Sequence, residues 1–328
     1  MGEHERPVVA YLGPEASYTH QAALSTFPNK ETTTLSPRTT IADVFSAVQN
    51  RSAHRGVVPF ENSSNGSVVF TLDLIANLHG MHPDVLVCGE AYVAVKHCLL
   101  GHAAGIPSTQ KEGEVRIDPQ FTNPLAIPKS DLSRVKKLYS HPQAWGQCKA
   151  FLATYLKGVP RHDVDSTSRA AEIVAADKTG ESAALSSLAA ADVFGLDVLA
   201  ESINDRKGNT TRFLVIRHAS SPPLPSPSLS LPTPNPPTPW KSLITFTLNH
   251  TAPGSLAQCL SAFSSHGLSL TSINTRPSGV ENWHYVFFVE CGGRKEDGEG
   301  EGDVNRALGE LGGVARTWRW LGSWESRL

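Results

Sequence analysis

No apolar run in the 328-residue sequence approaches the roughly 20 residues that span a bilayer. Charge of one sign is also lacking, because 29 basic residues face 31 acidic ones and the formal net charge is −2. A balanced charge gives no long-range attraction to a polyanion or to an anionic membrane surface. We therefore expect a globular protein that binds neither nucleic acid nor membrane. The 40% hydrophobic fraction is enough for packed cores.

The motifs of several common enzyme classes are missing as well. The sequence has no P-loop, no Gly-x-Gly-x-x-Gly and no Gly-x-Ser-x-Gly, so nothing favours phosphoryl transfer, nicotinamide binding or hydrolase chemistry. The five cysteines form no Cys-x-x-Cys pair and the 13 histidines no His-Glu-x-x-His, so we predict no metal, no disulfide framework and no cofactor. We expect a cytoplasmic location. The alternative is the peroxisome, because Ser326-Arg327-Leu328 resembles the Ser-Lys-Leu address.

The composition divides the chain at a proline-rich stretch, residues 219–239, which we predict to be an extended linker. Before it, residues 1–218 alternate strand-like and helix-like runs, a pattern that predicts an α/β architecture with mainly parallel strands. After it, residues 240–328 follow the order β-α-β-β-α-β of ferredoxin-like domains. Residues 101–129 and 292–302 show no sustained period, and we predict a surface insertion and a mobile loop there.

Polar clusters follow several of the predicted strands, at or just before the start of a helix. Free backbone N–H groups and the positive end of the helix dipole attract anions at such positions. We therefore expect one shared pocket for a small, oxygen-rich acid; the alternative is that Ser17, Ser63 and Ser166 are ordinary N-caps. The clusters are residues 13–19, 61–66, 140–143 and 166–168, with Thr210, Thr211 and Arg212 at the start of another strand.

Three segments carry a family resemblance. They are Pro59-Phe60-Glu61-Asn62-Ser63-Ser64-Asn65-Gly66, the stretch Ser140-His141-Pro142-Gln143 that runs on to Gln147-Cys148, and Thr211-Arg212-Phe213. In this order and spacing they resemble the prephenate dehydratases, and the similarity extends over residues 7–217. Residues 240–322 resemble the ACT regulatory domain of that family, in the fungal type of monofunctional enzyme.

The resemblance implies a catalytic region of two α/β subdomains with a cleft between them, like a type II periplasmic binding protein, followed by the ACT domain. It implies loss of water and carbon dioxide from prephenate without a cofactor, giving phenylpyruvate on the route to L-phenylalanine. It further implies a homodimer or homotetramer with L-phenylalanine as effector. Two alternatives remain open: arogenate dehydratase, which acts on the aminated substrate, and a non-catalytic protein that binds a small carboxylate.

The resemblance also implies roles for individual residues. Thr211 would assist departure of the ring hydroxyl, while Arg212 would either pair with a substrate carboxylate or bond a neighbouring loop. His141 suits acid–base chemistry and a structural role equally well. The implied catalytic residues are Thr211, Asn62, Gln147 and Glu61. The implied substrate-binding residues are Ser17, Ser63, Ser64, Asn65, Gly66, Ser140, Asp165, Ser166, Thr167, Thr210, Arg212 and Phe213. The implied effector-binding residues are Pro253, Gly254, Ser255, Leu256, Asn274, Thr275, Arg276 and Pro277.

The chain departs from the family pattern at three positions. Ala16 stands where the family usually has Gly, so a methyl group is expected to tighten the turn or narrow the pocket. In the ACT domain, Ser255 replaces the usual Ala and Asn274 replaces the Glu of the Glu-Ser-Arg-Pro segment. The ACT segments therefore have two interpretations, effector binding or dimerisation alone.

Overall fold

The computed structural model describes residues 6–103, 124–222, 239–297 and 302–327, and these residues form three β-sheets with helices. Most of the predicted insertion at 101–129, most of the predicted linker at 219–239, part of the loop at 292–302 and Leu328 lie outside the described residues. No helix of the described ranges is long and apolar enough to cross a membrane.

The first lobe is built on a six-stranded sheet with the order β2-β1-β3-β11-β5 and a short β4 paired with β3. Its strands are β1 (Val8–Leu12), β2 (Thr34–Arg38), β3 (Arg55–Asn62), β4 (Gly66–Ser67), β5 (Val85–Ala94) and β11 (Thr210–His218). Its helices are α1 (Tyr18–Thr26), α2 (Ile41–Gln49) and α3 (Val69–Ala76). Thr40 and Asp43 start α2 with a reciprocal capping box, which satisfies two backbone N–H groups at once.

The second lobe has a five-stranded sheet with the order β10-β6-β9-β7-β8. Its strands are β6 (His97–Gly101), β7 (Lys137–Ser140), β8 (Arg161–Asp163), β9 (Ser182–Ser187) and β10 (Asp197–Ala200). Its helices are α4 (Pro142–Gln147), α5 (Lys149–Tyr155), α6 (Thr167–Ala176) and α7 (Leu188–Phe194). The pattern predicts one helix over residues 144–156, but Cys148 leaves the helical region at φ −130° and divides it into α4 and α5.

The predicted two-lobed α/β catalytic region is confirmed, whereas the prediction of mainly parallel strands is wrong. β1, β2 and β3 are parallel, as are β7, β8 and β9. In the second lobe, β6 runs antiparallel to both of its neighbours, β9 and β10. In the first lobe, β11 runs antiparallel to both of its neighbours, β3 and β5. The reason is the path of the chain, which leaves the first lobe after β5, builds the second lobe, and returns as β11 to complete the first sheet.

The third unit confirms the predicted ferredoxin-like order. It consists of β12 (Trp240–Thr247), α8 (Ser255–Ser264), β13 (Leu270–Pro277), β14 (Tyr285–Gly292), α9 (Asp303–Val314) and β15 (Thr317–Glu325). The sheet order is β13-β14-β12-β15, and all of its pairings are antiparallel. One face of this sheet packs against α8 and α9.

The other face of the third sheet packs against the first lobe. Phe288, Leu321 and Trp324 share one buried cluster with Val87 and Ile216 of the first lobe. All five side chains are less than 4% exposed. The third unit and the first lobe therefore have a common apolar core, and burial of this core stabilises both.

Truncation of the shared core should destabilise the chain. Leu321→Ala removes a fully buried side chain, so we expect the free energy of unfolding to fall by about 2–5 kcal/mol in urea denaturation. Leu270→Ala in the same unit is the matched control, since Leu270 is 38% exposed. It should cost about 1 kcal/mol or less. Equal losses for the two variants would contradict a core at this position.

Candidate active site

A cleft between the two lobes collects polar side chains from both. Its cavity volume is about 520 Å³, and it lies where β1, β3 and β7 end and β11 begins. The predicted residues that line it are Ser17, Asn62, Asn65, Gly66, Gln147, Asp165, Ser166, Thr167, Thr211 and Phe213. The motifs found along the sequence therefore meet at one place in the fold.

Four helix N-termini surround the cleft. The N-cap residues are Ser17 for α1, Val68 for α3, His141 for α4 and Ser166 for α6, and all four line the cavity. Ser17 and Ser166 each accept a hydrogen bond from a backbone N–H three residues later, so they are N-caps and cleft residues at once. No Lys or Arg of the described residues lines this cavity. Helix dipoles and backbone N–H groups are thus its main source of positive potential.

Two basic side chains line an adjoining cavity of about 400 Å³. That cavity shares Asn65, Gln143 and Gln147 with the cleft and adds Lys149 and Arg206. The Lys149 ammonium and the Arg206 guanidinium add positive potential on the side of the cleft where α4 ends and α5 begins. Asp205 lines the same cavity and offsets one of these two positive charges.

Thr211 and Asn62 form the centre of the cleft. They lie directly opposite each other on β11 and β3, and the Asn62 Nδ2 donates to Thr211 Oγ1 at 2.9 Å. The Asn62 Oδ1 accepts from the backbone N–H groups of Ser64 and Asn65, at 2.9 and 3.0 Å, which fixes the orientation of the amide. Because Thr211 Oγ1 accepts from Asn62, its own proton is free to be donated into the cleft.

A chain of hydrogen bonds continues from Asn62 across the boundary between the lobes. Asn62 Nδ2 donates to Asn209 Oδ1 at 2.8 Å, and Asn209 Nδ2 donates to Gln147 Oε1 at 3.2 Å. His97 Nε2 lies 2.8 Å from the same Gln147 oxygen and therefore carries the proton that this oxygen accepts. His97 Nδ1 lies 3.3 Å from the hydroxyl of Tyr18. This network holds the two walls of the cleft in a fixed relation.

Burial sets the protonation of the histidines in the cleft. Desolvation lowers the pKa of His97, and its bond to Gln147 only partly opposes this, so the imidazole is neutral near pH 7. Desolvation also lowers the pKa of His141, against the effect of Asp163 and Asp165. His141 Nδ1 accepts from the backbone N–H of Gln143 at 3.3 Å, as an N-cap does. The structural role of His141 is thus visible in the fold.

Six of the predicted site residues do not line the cleft. Ser63 Oγ accepts from the Thr210 backbone N–H, the Thr210 hydroxyl donates to the Gly208 carbonyl, and Ser64 lines the adjoining cavity. Ser140 is fully buried and donates to the Leu185 carbonyl inside the second lobe. The remaining two residues, Glu61 and Arg212, bond to each other on the opposite face of the sheet.

Arg212 points away from the cleft because successive side chains of a strand lie on opposite faces. Its guanidinium bonds Glu61, Glu90 and Glu290, and its side chain is 5% exposed. A β-bulge places Phe60 as an extra residue between Pro59 and Glu61, so that both Pro59 and Asn62 face the cleft. Of the two hypotheses for Arg212, bonding within the chain describes these contacts, but the partners lie on the strands β3, β5 and β14 and not on the predicted neighbouring loop.

Three residues of the hydrogen-bond network, Tyr18, His97 and Asn209, are not among the predicted site residues, although Tyr18 lies within the predicted polar cluster 13–19. Tyr18 follows the predicted helix start at Ser17, and Asn209 directly precedes Thr210, so both lay within reach of recognised motifs. His97 starts β6 at the point where the chain enters the second lobe, and no local motif marks it. What could have indicated His97 is its position, because the segments that connect two lobes lie beside the cleft between them.

The turn at Ala16 explains why Gly is usual there. Ala16 has φ 61°, a left-handed conformation that strains a residue with a Cβ atom. The turn is held nevertheless, because Ala16 N donates to His20 Nδ1 and Ala16 O accepts from Ser187 Oγ. The methyl group itself is buried among Cys98, Leu100 and neighbouring small residues, and it does not line the cleft.

The predicted effector-binding residues fall into two separate places. Gly254, Ser255 and Leu256 line a cavity at the start of α8, whereas Pro277 lines another beside Trp283. Asn274, Thr275 and Arg276 lie on β13, the edge strand of the third sheet, while Pro253 precedes α8. The described chain alone therefore does not join the two segments into one cavity.

Two side chains of the predicted effector strand bond the wall of the cleft. Ser67 Oγ donates to Asn274 Oδ1 at 2.6 Å, and Ser67 lines the cleft. The Arg276 guanidinium donates to both carboxylate oxygens of Asp73, at 2.6 and 3.0 Å. Asp73 lies on α3, whose first residues also line the cleft. A movement of β13 would therefore displace Ser67 and Asp73 at the cleft wall.

Comparisons with known proteins agree with this arrangement. A model of the prephenate dehydratase family matches residues 9–221, and a model of the ACT domain matches residues 243–309. A bifunctional chorismate mutase/prephenate dehydratase of Aquifex aeolicus is 35% identical, covering 98% of this chain and 74% of that protein. A probable prephenate dehydratase of Saccharomyces cerevisiae is 31% identical, covering 86% of each. Arogenate dehydratase 2 of Petunia hybrida is 32% identical, covering 99% of this chain and 73% of that protein.

A solved structure shares the arrangement of all three units. Prephenate dehydratase from Arthrobacter aurescens, in complex with L-Phe, superposes with a TM-score of 0.76 at 26% identity. The match covers 97% of this chain and 90% of that one. With both regions matched in order and relatives above 30% identity over most of its length, the chain belongs to the prephenate dehydratase family.

Proposed function

We propose that the cleft converts prephenate into phenylpyruvate, water and carbon dioxide. The observation that carries the proposal is the Thr211 hydroxyl, whose oxygen accepts from Asn62 and whose proton is left for a ligand. Family membership and the confirmed two-lobed fold support it. The residues that we propose for the site are the ten cleft-lining members of the predicted set, with Thr211 and Asn62 at its centre.

The proposed substrate fits the two kinds of surface in the cleft. Prephenate carries two carboxylates, which the four helix N-termini attract without a cationic side chain. Its ring is apolar apart from one hydroxyl, and Leu12, Pro59 and Phe213 supply apolar wall. Phe70 also lines the cavity and is 74% exposed, so a bound ring would cover part of an unpartnered aromatic surface.

The proposed reaction needs polarisation more than a strong acid or base. As the ring carboxylate leaves as carbon dioxide, its bonding electrons enter the ring and the C–O bond to the hydroxyl breaks on the opposite side. The departing oxygen takes up one proton and leaves as water, and the ring becomes aromatic. Thr211 is placed to donate a hydrogen bond to that oxygen as negative charge develops on it, and Asn62 keeps the threonine oxygen oriented.

Two rival functions differ from the proposal in testable ways. Arogenate dehydratase would perform the same step on the aminated substrate, and a relative of that name is 32% identical. A non-catalytic carboxylate-binding protein would not need the Thr211 hydroxyl.

We keep residues 1–218, 219–239 and 240–328 as the proposed catalytic domain, linker and regulatory domain. The five free, buried cysteines support a proposed location in the cytoplasm.

We also propose that L-phenylalanine regulates the enzyme through a homodimer or a larger assembly. The two predicted effector segments lie in separate cavities of one chain, so a second copy is needed to bring them together. Exposed apolar side chains beside these segments support such a contact: Ile273 is 50% exposed, Val280 76% and Trp283 83%. The bonds of Asn274 to Ser67 and of Arg276 to Asp73 then connect the effector strand to the cleft wall.

The first test is turnover of prephenate by purified protein, with arogenate in parallel, followed by the absorbance of the phenylpyruvate enolate in alkali. Thr211→Val removes the donor, and we expect kcat to fall about 10²–10³-fold. KM should stay within a few-fold, because the substrate is bound mainly elsewhere. Thr26→Val is the matched control in the same lobe, since Thr26 bonds the Ala22 carbonyl at the end of α1. A wild-type protein inactive on both substrates would leave the binding-protein hypothesis.

The role of Asn62 is tested by Asn62→Asp. The carboxylate keeps the acceptor for the Ser64 and Asn65 N–H groups but cannot donate to Thr211 Oγ1, so Thr211 would turn its proton to the new carboxylate. We expect kcat to fall about 10²-fold. The double variant with Thr211→Val should be no slower than Thr211→Val alone, because both act on one hydroxyl. Additive losses would show that Asn62 acts independently of Thr211.

Regulation is tested by Asp73→Asn. We expect calorimetry to give the same affinity for L-phenylalanine, while inhibition of prephenate turnover weakens several-fold, because the Arg276 ion pair to the cleft wall is lost. Asp303→Asn, which changes an exposed ion pair with Arg306 in the regulatory domain, is the matched control. Unchanged inhibition in Asp73→Asn would contradict transmission through α3.

A further inference from the structure

The face of the first sheet turned away from the cleft carries a buried cluster of five charged side chains. Arg212, Glu61 and Glu90 come from the first lobe, and Lys241 and Glu290 come from β12 and β14 of the third unit. Four of the five side chains are at most 11% exposed, and Glu61 is 34% exposed. Buried charges at a contact between domains need a reason, because they are stabilising only when each has partners.

Each of the three nitrogen atoms of the Arg212 guanidinium donates to a carboxylate of this cluster. Nε donates to Glu90 at 2.9 Å, Nη1 to Glu61 at 3.0 Å and Nη2 to Glu290 at 2.5 Å. Burial acts to lower the pKa of Arg212, but the carboxylates of Glu290 and Glu90 outweigh it and raise that pKa. The guanidinium is therefore permanently charged, and rotation toward the cleft would leave the buried carboxylates of Glu90 and Glu290 with Lys241 as their one shared cation among the described residues.

The cluster is connected to the cleft by the geometry of one strand pair. Arg212 lies directly opposite Glu61, and the next pair along the ladder is Thr211 opposite Asn62. One pair faces the third unit and the other faces the cleft, so a shift of Arg212 along its strand moves Thr211 with it. A displacement of about 1 Å at a reacting group can cost about 10²-fold in rate.

The contact from the third unit is itself held in place. Glu290 Oε1 accepts from Thr271 Oγ1 at 2.8 Å and lies 3.5 Å from Lys241 Nζ. Glu290 lies on β14, which pairs with β13, the strand that carries Asn274 and Arg276. The carboxylate that holds Arg212 thus belongs to the same sheet as the proposed effector strand.

We propose that Arg212 is a positioning residue for Thr211, held from the regulatory domain by Glu290, so that the rate of the chemical step depends on this ion pair. This inference rests on the proposed function. It assigns the arginine of the Thr-Arg-Phe segment to communication between domains and not to the substrate. Glu61 steadies the same guanidinium from within the catalytic domain.

The test compares kcat and KM for prephenate in the full-length wild type and in Glu290→Gln. The amide keeps the shape and an acceptor but removes the charge, so we expect kcat to fall about tenfold with KM within twofold. Glu290→Asp, which keeps the charge, should recover part of that loss. Glu310→Gln is the matched control, because Glu310 pairs with His266 at the surface of the same domain, and it should behave as wild type.

Each result of this kinetic comparison either supports or overturns the inference. A wild-type kcat in Glu290→Gln, or a raised KM with unchanged kcat, would overturn the inference while the proposed function stands. If Glu290→Gln does not fold by circular dichroism, Thr271→Val replaces it, since the Thr271 hydroxyl donates to Glu290 Oε1 and its loss releases the carboxylate that holds Arg212. A lower kcat at constant KM in that variant supports the inference, and an unchanged kcat overturns it. A wild-type protein without turnover would overturn the proposed function itself.

Discussion

The two-residue alternation of the antiparallel pair β3 and β11 is the constraint on which the rest of the structure depends. Thr211 and Asn62 face the cleft, and the adjacent pair Arg212 and Glu61 faces the third unit. One short ladder therefore supplies both the proposed chemistry and the contact that can modulate it. The antiparallel direction of β11 makes this possible, because the returning strand brings its first residues to the ends of the parallel strands.

The electrostatics of the two faces differ sharply. The cleft face uses helix N-termini and neutral donors, so a dianionic ligand can be bound and released without a tight ion pair. On the opposite face, carboxylates and cations are buried together at the contact with the third unit. Four of the five charged side chains are at most 11% exposed, which makes the arrangement of charges rigid and sensitive to the position of the third sheet.

Much of the site could be predicted because its residues follow strands and cap helices. Asn62, Ser17, Ser166 and Thr211 all reach the cleft for that reason. The orientation of Arg212 could not be predicted, since a motif gives spacing along the chain and not the face of the sheet. The bulge at Phe60 shifts the alternation of β3 by one residue, and its local signal is Pro59, because a proline within an inner strand is found at bulges.

The fold was predictable to a similar extent. The order of strands and helices followed from their periods, but the antiparallel position of β11 depends on a return from another lobe, which is a property of the whole chain. His97 was missed for the same reason, because its partners Gln147 and Tyr18 are 50 and 79 residues away. Contacts of that range are not encoded in local patterns.

The most direct test of the account is a crystal structure of the protein with an unreactive prephenate analogue that keeps the ring hydroxyl. The account predicts that Thr211 Oγ lies about 2.7–3.1 Å from that hydroxyl. It also predicts that Arg212 remains bonded to Glu61, Glu90 and Glu290. An analogue carboxylate bound by Arg212, or a ring hydroxyl beyond reach of Thr211, would contradict the separation of chemistry and regulation on the two faces of the ladder.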